Sequence, residues 1–560
     1  MWRVAPRPGP RTLPWRGVVA AVALGAGLVA AAPRLEARPA GGKLAVATEH
    51  EVASREALRV LEAGGNAVDA AVTAALVAGV VSPSSSGLGG GGFALAWSAE
   101  RATPTLLDFR ETAPAGVVPA EFEARPFEGP RRGRYVGVPG EARGLHELHR
   151  RLGKRPWGEL VAPAVRVART GFAVSRHLAG AIAGTRALAD DPALSRTFLA
   201  GGKPAAVGQL VKNEPLAATL ERLAAEGPTA LTEGAAAAEI EATVRGAGGT
   251  LTAAELAAYQ VVERQPLLVR WQGYDVYTMP PPSAGGMTLA QALGMLEPGE
   301  LRRLGGSSGA YQHLLAEVLR GALADRMRYL GDPDHVEVDL GELLSPARLA
   351  ARRRKIALDR THGIPRFGLE EHGTHHLITA DARGNVVSLT TTVNRAFGAR
   401  LATPTGGVVL NDELDDFTAA ADVRPFDLKE SPNRARAGAR PVSSMTPTIV
   451  LRDGKPVLAI GGSGGPTITT NVTQLVLARL VFGTAPAALV AGRRFYVPTR
   501  GAYLWLEKGA PPELIADLEA RGEIVGEMPF TTSAVQAIAF EGGRAVPASD
   551  PRKGGSALAR

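Results

Sequence analysis

Thr374, in Gly373-Thr374-His375-His376, stands where a run of apolar and β-branched residues begins. Two such runs follow, Leu377-Ile378-Thr379 and Val386-Val387-Ser388-Leu389-Thr390-Thr391-Thr392-Val393, joined by Asp381-Ala382-Arg383-Gly384-Asn385. Strand-like runs around a turn signal predict a β-hairpin. A hydroxyl at the head of a buried strand has a special use. Gly373 carries no Cβ, so its carbonyl is open to the Thr374 hydroxyl, and hydrolysis of the resulting ester would free Thr374 as a new N-terminus. The freed α-amine, with an ordinary pKa of about 7.7 to 8.0, could then serve as base for its own hydroxyl. The lead into this point, Arg352-Arg353-Arg354-Lys355 through Ile364-Pro365-Arg366, is basic and without a sustained period. It reads as an exposed, mobile approach.

Other chemistries compete for the same residues. Glu371, His372, His375 and His376 offer a zinc ion a carboxylate and three imidazoles, but neighbouring residues of a strand point to opposite faces. Gly461-Gly462-Ser463-Gly464-Gly465 fits the Gly-x-Ser-x-Gly nucleophile elbow between a strand and a helix. That elbow needs a histidine further down the chain, and all ten histidines lie at or before residue 376. The run Gly87-Leu88-Gly89-Gly90-Gly91-Gly92 suggests a phosphate loop, yet no Gly-Lys-Ser/Thr follows and no helix opens behind it. Close backbone packing against a neighbouring sheet is the better reading of those glycines.

The elements that must position Thr374 are of both kinds. Helical periods cover 56–63, 68–80, 157–170, 216–225, 236–245, 311–329 and 473–481, with a capping pattern at Thr252 and Glu255. Strand runs cover 93–97, 106–109, 267–271, 274–277, 448–451 and 457–460. Periodicity alone supports a mixed α and β fold.

Composition narrows the function. At 560 residues and 45% apolar the chain can bury a large core. The net charge of +8 is scattered as Arg-rich runs among acids, so it reads as solvated surface and no nucleic-acid partner is expected. The chain has no cysteine, so neither disulfides nor thiol chemistry can operate. Arg3, Arg7, Arg11 and Arg16, then the apolar run from Val18 to Val29, then Ala30-Ala31-Ala32, form a secretory signal. Residues 1–32 are read as that signal and the protein as exported, periplasmic or extracellular. A membrane anchor is the alternative if the segment is retained.

The hairpin region resembles the γ-glutamyltransferase (glutathione hydrolase) family. The likeness rests on Thr374-His375-His376, Asp381-Ala382-Arg383-Gly384-Asn385, Asn394-Arg395-Ala396-Phe397-Gly398 and Asn411-Asp412-Glu413-Leu414-Asp415-Asp416-Phe417, in order and without gaps. Asp108-Phe109-Arg110-Glu111-Thr112-Ala113-Pro114, the loop Met279-Pro280-Pro281-Pro282-Ser283, Leu330-Gly331-Asp332-Pro333 and the tail Ser549-Asp550-Pro551-Arg552-Lys553 extend it over nearly the whole chain. The resemblance implies an α+β fold, the four-layer αββα sandwich of the N-terminal-nucleophile hydrolases. It also implies a large subunit 33–373 and a small, catalytic one 374–560, held together as a heterodimer.

By the same resemblance Thr374 is the nucleophile, Thr392 orients it, and the backbone N–H groups of Gly464 and Gly465 form the oxyanion hole. Arg110, Ser443 and Ser444 would hold the α-carboxylate of a γ-glutamyl substrate such as glutathione, while Asn394, Glu413 and Asp416 receive its ammonium. No metal or organic cofactor is implied. His375 and Ile378 depart from the family's usual residues, and Phe426 stands in the stretch from Thr418 to Gly438 that lids the pocket in some members. A related acylase acting on β-lactam side chains or poly-γ-glutamate is the rival expectation, and an uncleaved binding homologue is another.

Overall fold

A computed structural model describes residues 41–122, 132–361, 374–423, 428–498, 503–529 and 532–560. The signal segment, Gly373 and Phe426 lie outside the described residues. Two sheets organise the rest. The strands are β1 (Ala45–Thr48), β2 (Gly91–Ser98), β3 (Thr103–Asp108), β4 (Val262–Arg264), β5 (Leu267–Trp271), β6 (Tyr274–Thr278) and β7 (Thr374–Ala380). They continue with β8 (Val386–Thr392), β9 (Thr448–Arg452), β10 (Lys455–Ser463), β11 (Ala534–Glu541), β12 (Arg544–Ser549) and β13 (Ser556–Ala559). Sheet one has the order β13-β1-β7-β8-β2-β3-β4 and sheet two β12-β11-β10-β9-β6-β5. Neighbours in both are antiparallel.

Side-chain alternation along these strands builds the layers, because successive residues point to opposite faces of a sheet. On β2, Phe93, Leu95 and Trp97 join Ile378 and Ala380 of β7, Ile449 and Leu451 of β9 and Ala459 of β10 in one core between the sheets. The alternate residues Ala94, Ala96 and Leu377 face outward, against helices α1 (Glu51–Glu62), α2 (Ala67–Val81), α3 (Glu141–Leu152) and α4 (Trp157–Thr170). Val450, Leu458 and Ile460 of sheet two face outward against α5 (Gly285–Met295), α6 (Gly309–Tyr329) and α8 (Thr467–Phe482). The result is helix, sheet, sheet, helix: the αββα sandwich. α2 is apolar all round, as a helix buried on every side must be, and Asn66 with Asp69 closes its N-terminus in a capping box.

Two local readings from the sequence need correction. The basic run Arg352-Arg353-Arg354-Lys355 is helical, the last turn of α7 (Pro346–Lys355). Ser345 caps that helix, Pro346 opens it and Leu349 anchors it in the core. Cations suit a helix C-terminus, and here they are also held from outside. Arg352 bonds Asp325 at 2.6 Å and Gln291 at 3.0 Å, and Arg353 reaches Glu300. The helix placed at 473–481 begins six residues earlier, at Thr467. The β-branched and polar run Thr467-Ile468-Thr469-Thr470-Asn471 hid it, since such residues favour strands and turns. In the helix Thr470 and Thr473 return their hydroxyls to carbonyls one turn back, at 3.1 and 2.8 Å.

The glycine run packs closely, as expected, but against β8 of its own sheet and the segment at Val409 rather than against a neighbouring sheet. A Cβ at Gly89 would stand 2.1 Å from the Val409 carbonyl oxygen, one at Gly90 1.9 Å from that of Thr392, and one at Gly92 2.1 Å from that of Thr390. No other residue allows β8 to approach so closely.

Candidate active site

Thr374 opens β7 and pairs in register with Thr392 at the end of β8. By strand alternation it shares a face with Ile378 and Ala380, the face turned to sheet two. Its Oγ1 lies 3.4 Å from Thr392 Oγ1, a long contact for two hydroxyls. Thr392 Oγ1 also accepts from the N–H of Asn394 at 2.8 Å. Asn394 has φ +70°, the left-handed turn that ends β8, a conformation asparagine adopts more readily than most residues. Its amide donates to the Asp412 carbonyl at 3.2 Å, tying the hairpin to the acidic loop.

Arg110 follows β3 and is 1% exposed. Its Nε donates to the Pro441 carbonyl at 2.7 Å, and its two terminal nitrogens bond Glu413 and Asp416. Two acids thus face one guanidinium in a buried place. Ser443 Oγ accepts from the Met445 N–H at 3.0 Å, and Ser444 Oγ accepts from Arg326 at 2.5 Å. A hydroxyl that accepts from a fixed donor keeps its proton to give to an incoming acceptor such as a carboxylate.

β10 ends at Ser463, and Gly464 and Gly465 follow with φ +127° and +61°, angles open to glycine. A Cβ at Gly464 would lie 2.6 Å from the Cα of Ser533. Because α8 starts at Thr467, the glycine pair sits just ahead of a helix N-terminus, where backbone N–H groups and the helix dipole favour negative charge. Thr467 Oγ1 fixes the turn by donating to the Gly464 carbonyl at 2.8 Å.

One narrow cleft gathers Arg110, Thr374, Thr392, Asn394, Glu413, Asp416, Ser443, Ser444 and Gly465, with Met445 and Ile468 completing its wall. Nine of the ten residues picked from sequence line it; Gly464 does not.

Other residues at the site escaped the sequence reading. Lys553 Nζ donates to the Thr374 carbonyl at 2.9 Å and to Ser463 Oγ at 2.6 Å, and lies 3.2 Å from Glu49. Glu49 in turn accepts from the His376 N–H at 3.0 Å. Arg326, which holds Ser444, sits in the last turn of α6. Glu111, beside Arg110, is wholly buried; loss of water and then the charge of Glu413 push its carboxyl well above the usual range. The tail motif and the Leu330-Gly331-Asp332-Pro333 motif flagged the neighbourhoods of Lys553 and Arg326, but nothing local joined them to Thr374 or Ser444. His375 and His376 take opposite faces of β7. His376 Nδ1 is 2.8 Å from Thr390 Oγ1, and burial drops both imidazoles to a pKa of about 3.

The four-layer sandwich with its threonine-headed strand has the fold of the N-terminal-nucleophile hydrolases. A cephalosporin acylase from Bacillus halodurans superposes with a TM-score of 0.84 at 24% identity, over 96% of this chain and 99% of that one. The family model for gamma-glutamyltranspeptidase matches residues 53–560. A glutathione hydrolase proenzyme of Bacillus subtilis (strain 168) is 35% identical over 541 residues, 92% of this chain and 91% of its own. The gamma-glutamyltranspeptidase structure of Helicobacter pylori is 32% identical with a TM-score of 0.54, covering 56% of this chain and 91% of that one. The chain belongs to the γ-glutamyltranspeptidase family, whose members are hydrolase and transferase enzymes.

Proposed function

We propose that the protein is a γ-glutamyltransferase and glutathione hydrolase that first cleaves itself between Gly373 and Thr374. The observation that carries the reading is the single cleft in which the Thr374 hydroxyl, the Arg110–Glu413–Asp416 group and the Ser443 and Ser444 hydroxyls meet. A γ-glutamyl group has a carboxylate and an ammonium at one end and an amide carbonyl at the other. Arg110 and the two serines match the carboxylate, and the carboxyl oxygens of Glu413 and Asp416, with the Asn394 side chain, match the ammonium.

In the reaction the freed α-amine takes the Thr374 hydroxyl proton as Oγ1 bonds to the γ-carbonyl carbon. The carbonyl electron pair moves to oxygen, where the N–H groups of Gly464 and Gly465 meet it; one such donor contributes about 10²- to 10³-fold in rate. Collapse breaks the C–N bond, and the ammonium returns its proton to the leaving amine. Water then attacks the ester to release glutamate, or an amino acid or peptide amine takes the γ-glutamyl group. Thr392 orients the nucleophile, and none of these steps draws on a metal or organic cofactor.

Self-cleavage is supported by relatives named as proenzymes. The Helicobacter pylori chain, matched over 91% of itself, spans 56% of this one, a share close to that of residues 33–373. The basic and apolar N-terminal run supports export. Intact mass tests the core of the reading: wild type should give two fragments, the smaller being residues 374–560, and Thr374→Ala one inactive chain. Activity in Thr374→Ala, or a fragment starting elsewhere, would overturn it. Rates on γ-glutamyl-p-nitroanilide against glutaryl substrates separate this reading from a β-lactam acylase, and the γ-glutamyl compound should be far faster.

A further inference from the structure

Lys553 touches both halves of that chemistry. Its ammonium donates to the carbonyl of Thr374 in sheet one and to the hydroxyl of Ser463, which leads into Gly464 and Gly465 from sheet two. The side chain is 10% exposed, and Glu49 is its ionic partner at 3.2 Å. One cation from the C-terminal segment thus ties the nucleophile's strand to the turn that would stabilise the oxyanion.

We propose that Lys553 is a positioning residue whose charge keeps the freed α-amine of Thr374 unprotonated and whose hydrogen bonds set the nucleophile against Gly464 and Gly465. This rests on the threonine-nucleophile reading above. Within one residue the amine nitrogen and carbonyl oxygen are about 3 Å apart, so the ammonium stands within about 6 Å of the amine. A positive charge at that range opposes a second one and lowers the amine's pKa. Left at about 7.7 to 8.0, the amine would be mostly protonated at neutral pH and unable to act as a base.

Glu49 works in the other direction, since its carboxylate offsets part of the lysine's field. Glu141, whose carboxyl meets Thr391 beside Thr392, is pushed up to about 8 by burial and is a second group that titrates near neutrality. It is intact in every variant compared. The histidines nearby are silent. Burial holds His375 and His376 on β7 at about 3, and His50 at the head of α1 and His177 from the helix Arg176–Gly184 at about 4. All four are neutral through the working range. Arg110, Glu413 and Asp416 are the charges that share the cleft with Thr374.

The test is the pH dependence of kcat/KM on γ-glutamyl-p-nitroanilide for full-length Lys553→Met, Lys553→Arg and Glu49→Gln, each checked for cleavage by intact mass. In Lys553→Met the acid limb should move up by about one pH unit, with kcat more than about tenfold down and KM within about threefold. Lys553→Arg should return the limb towards its wild-type position. Glu49→Gln, whose amide oxygen can still accept from His376, should move it down. A cleaved Lys553→Met with an unmoved limb, or a limb that rises in Glu49→Gln, overturns the proposal. Should Lys553→Met remain one chain, the direction of the shift in Glu49→Gln decides. Activity surviving in Thr374→Ala would instead remove the nucleophile reading itself.

Discussion

At the scale of residues the clamp gives the most direct predictions. The planar fork of Arg110 meets Glu413 and Asp416 together while its Nε holds the Pro441 carbonyl. Lysine keeps the charge but cannot make three bonds in one plane. Arg110→Lys is expected to lower kcat/KM by about 100-fold or more, read in steady-state rates on cleaved enzyme. Ser443→Ala and Ser444→Ala each remove one hydrogen bond to a charged group, so each should raise KM about tenfold with a smaller change in kcat. The family motifs around Arg110, Glu413, Asp416, Ser443 and Ser444 made these positions legible, because each motif is a short run of the sequence. Arg326 stayed hidden: its contact to Ser444 spans 118 positions, and an arginine near a helix C-terminus is ordinary surface chemistry in any sequence.

At the scale of elements the glycine run is the most exposed to test. Gly90→Ala would press a methyl group 1.9 Å from the carbonyl of Thr392, pushing the end of β8, and Thr392 with it, away from the segment that leads into β2. Overpacking of this kind costs about 1–3 kcal/mol or more. The variant should melt lower and accumulate uncleaved chain on a denaturing gel. Gly180→Ala, in a helix where nothing lies within 4 Å of the new methyl, is the control and should be neutral or stabilising. The hairpin was readable because alternation and turn chemistry are local. The start of α8 was not, because six positions rich in threonine read as strand until tertiary packing buries them as a helix.

At the scale of the molecule the sheets interlock the two proposed fragments. In sheet one β7 and β8 lie between β1 and β2, and in sheet two β9 pairs with β6. The cleaved protein should therefore elute as one species in gel filtration and separate only in denaturant. Stability should also depend on pH through Glu141 at the start of α3. Burial pushes this carboxyl up to about 8, against about 4.3 in an unfolded chain. The folded state binds the proton more tightly, so stability is greatest at low pH, falls as pH rises through that interval, and levels off above it. Glu141→Gln removes the slope: between about pH 5 and 8 its Tm should fall less than that of wild type.

The sequence by itself determined the family and picked out most of the residues that line the cleft, since the family's motifs are short runs of fixed residue types at fixed local spacings. Tertiary structure alone decided the companions. Sheet packing brings Lys553 from the C-terminal segment to the Thr374 carbonyl and to Ser463, and Glu49 from the end of β1 to Lys553 and the His376 N–H. Those meetings depend on strand register and on which face each side chain takes, and neither quantity is written in any short stretch of the chain.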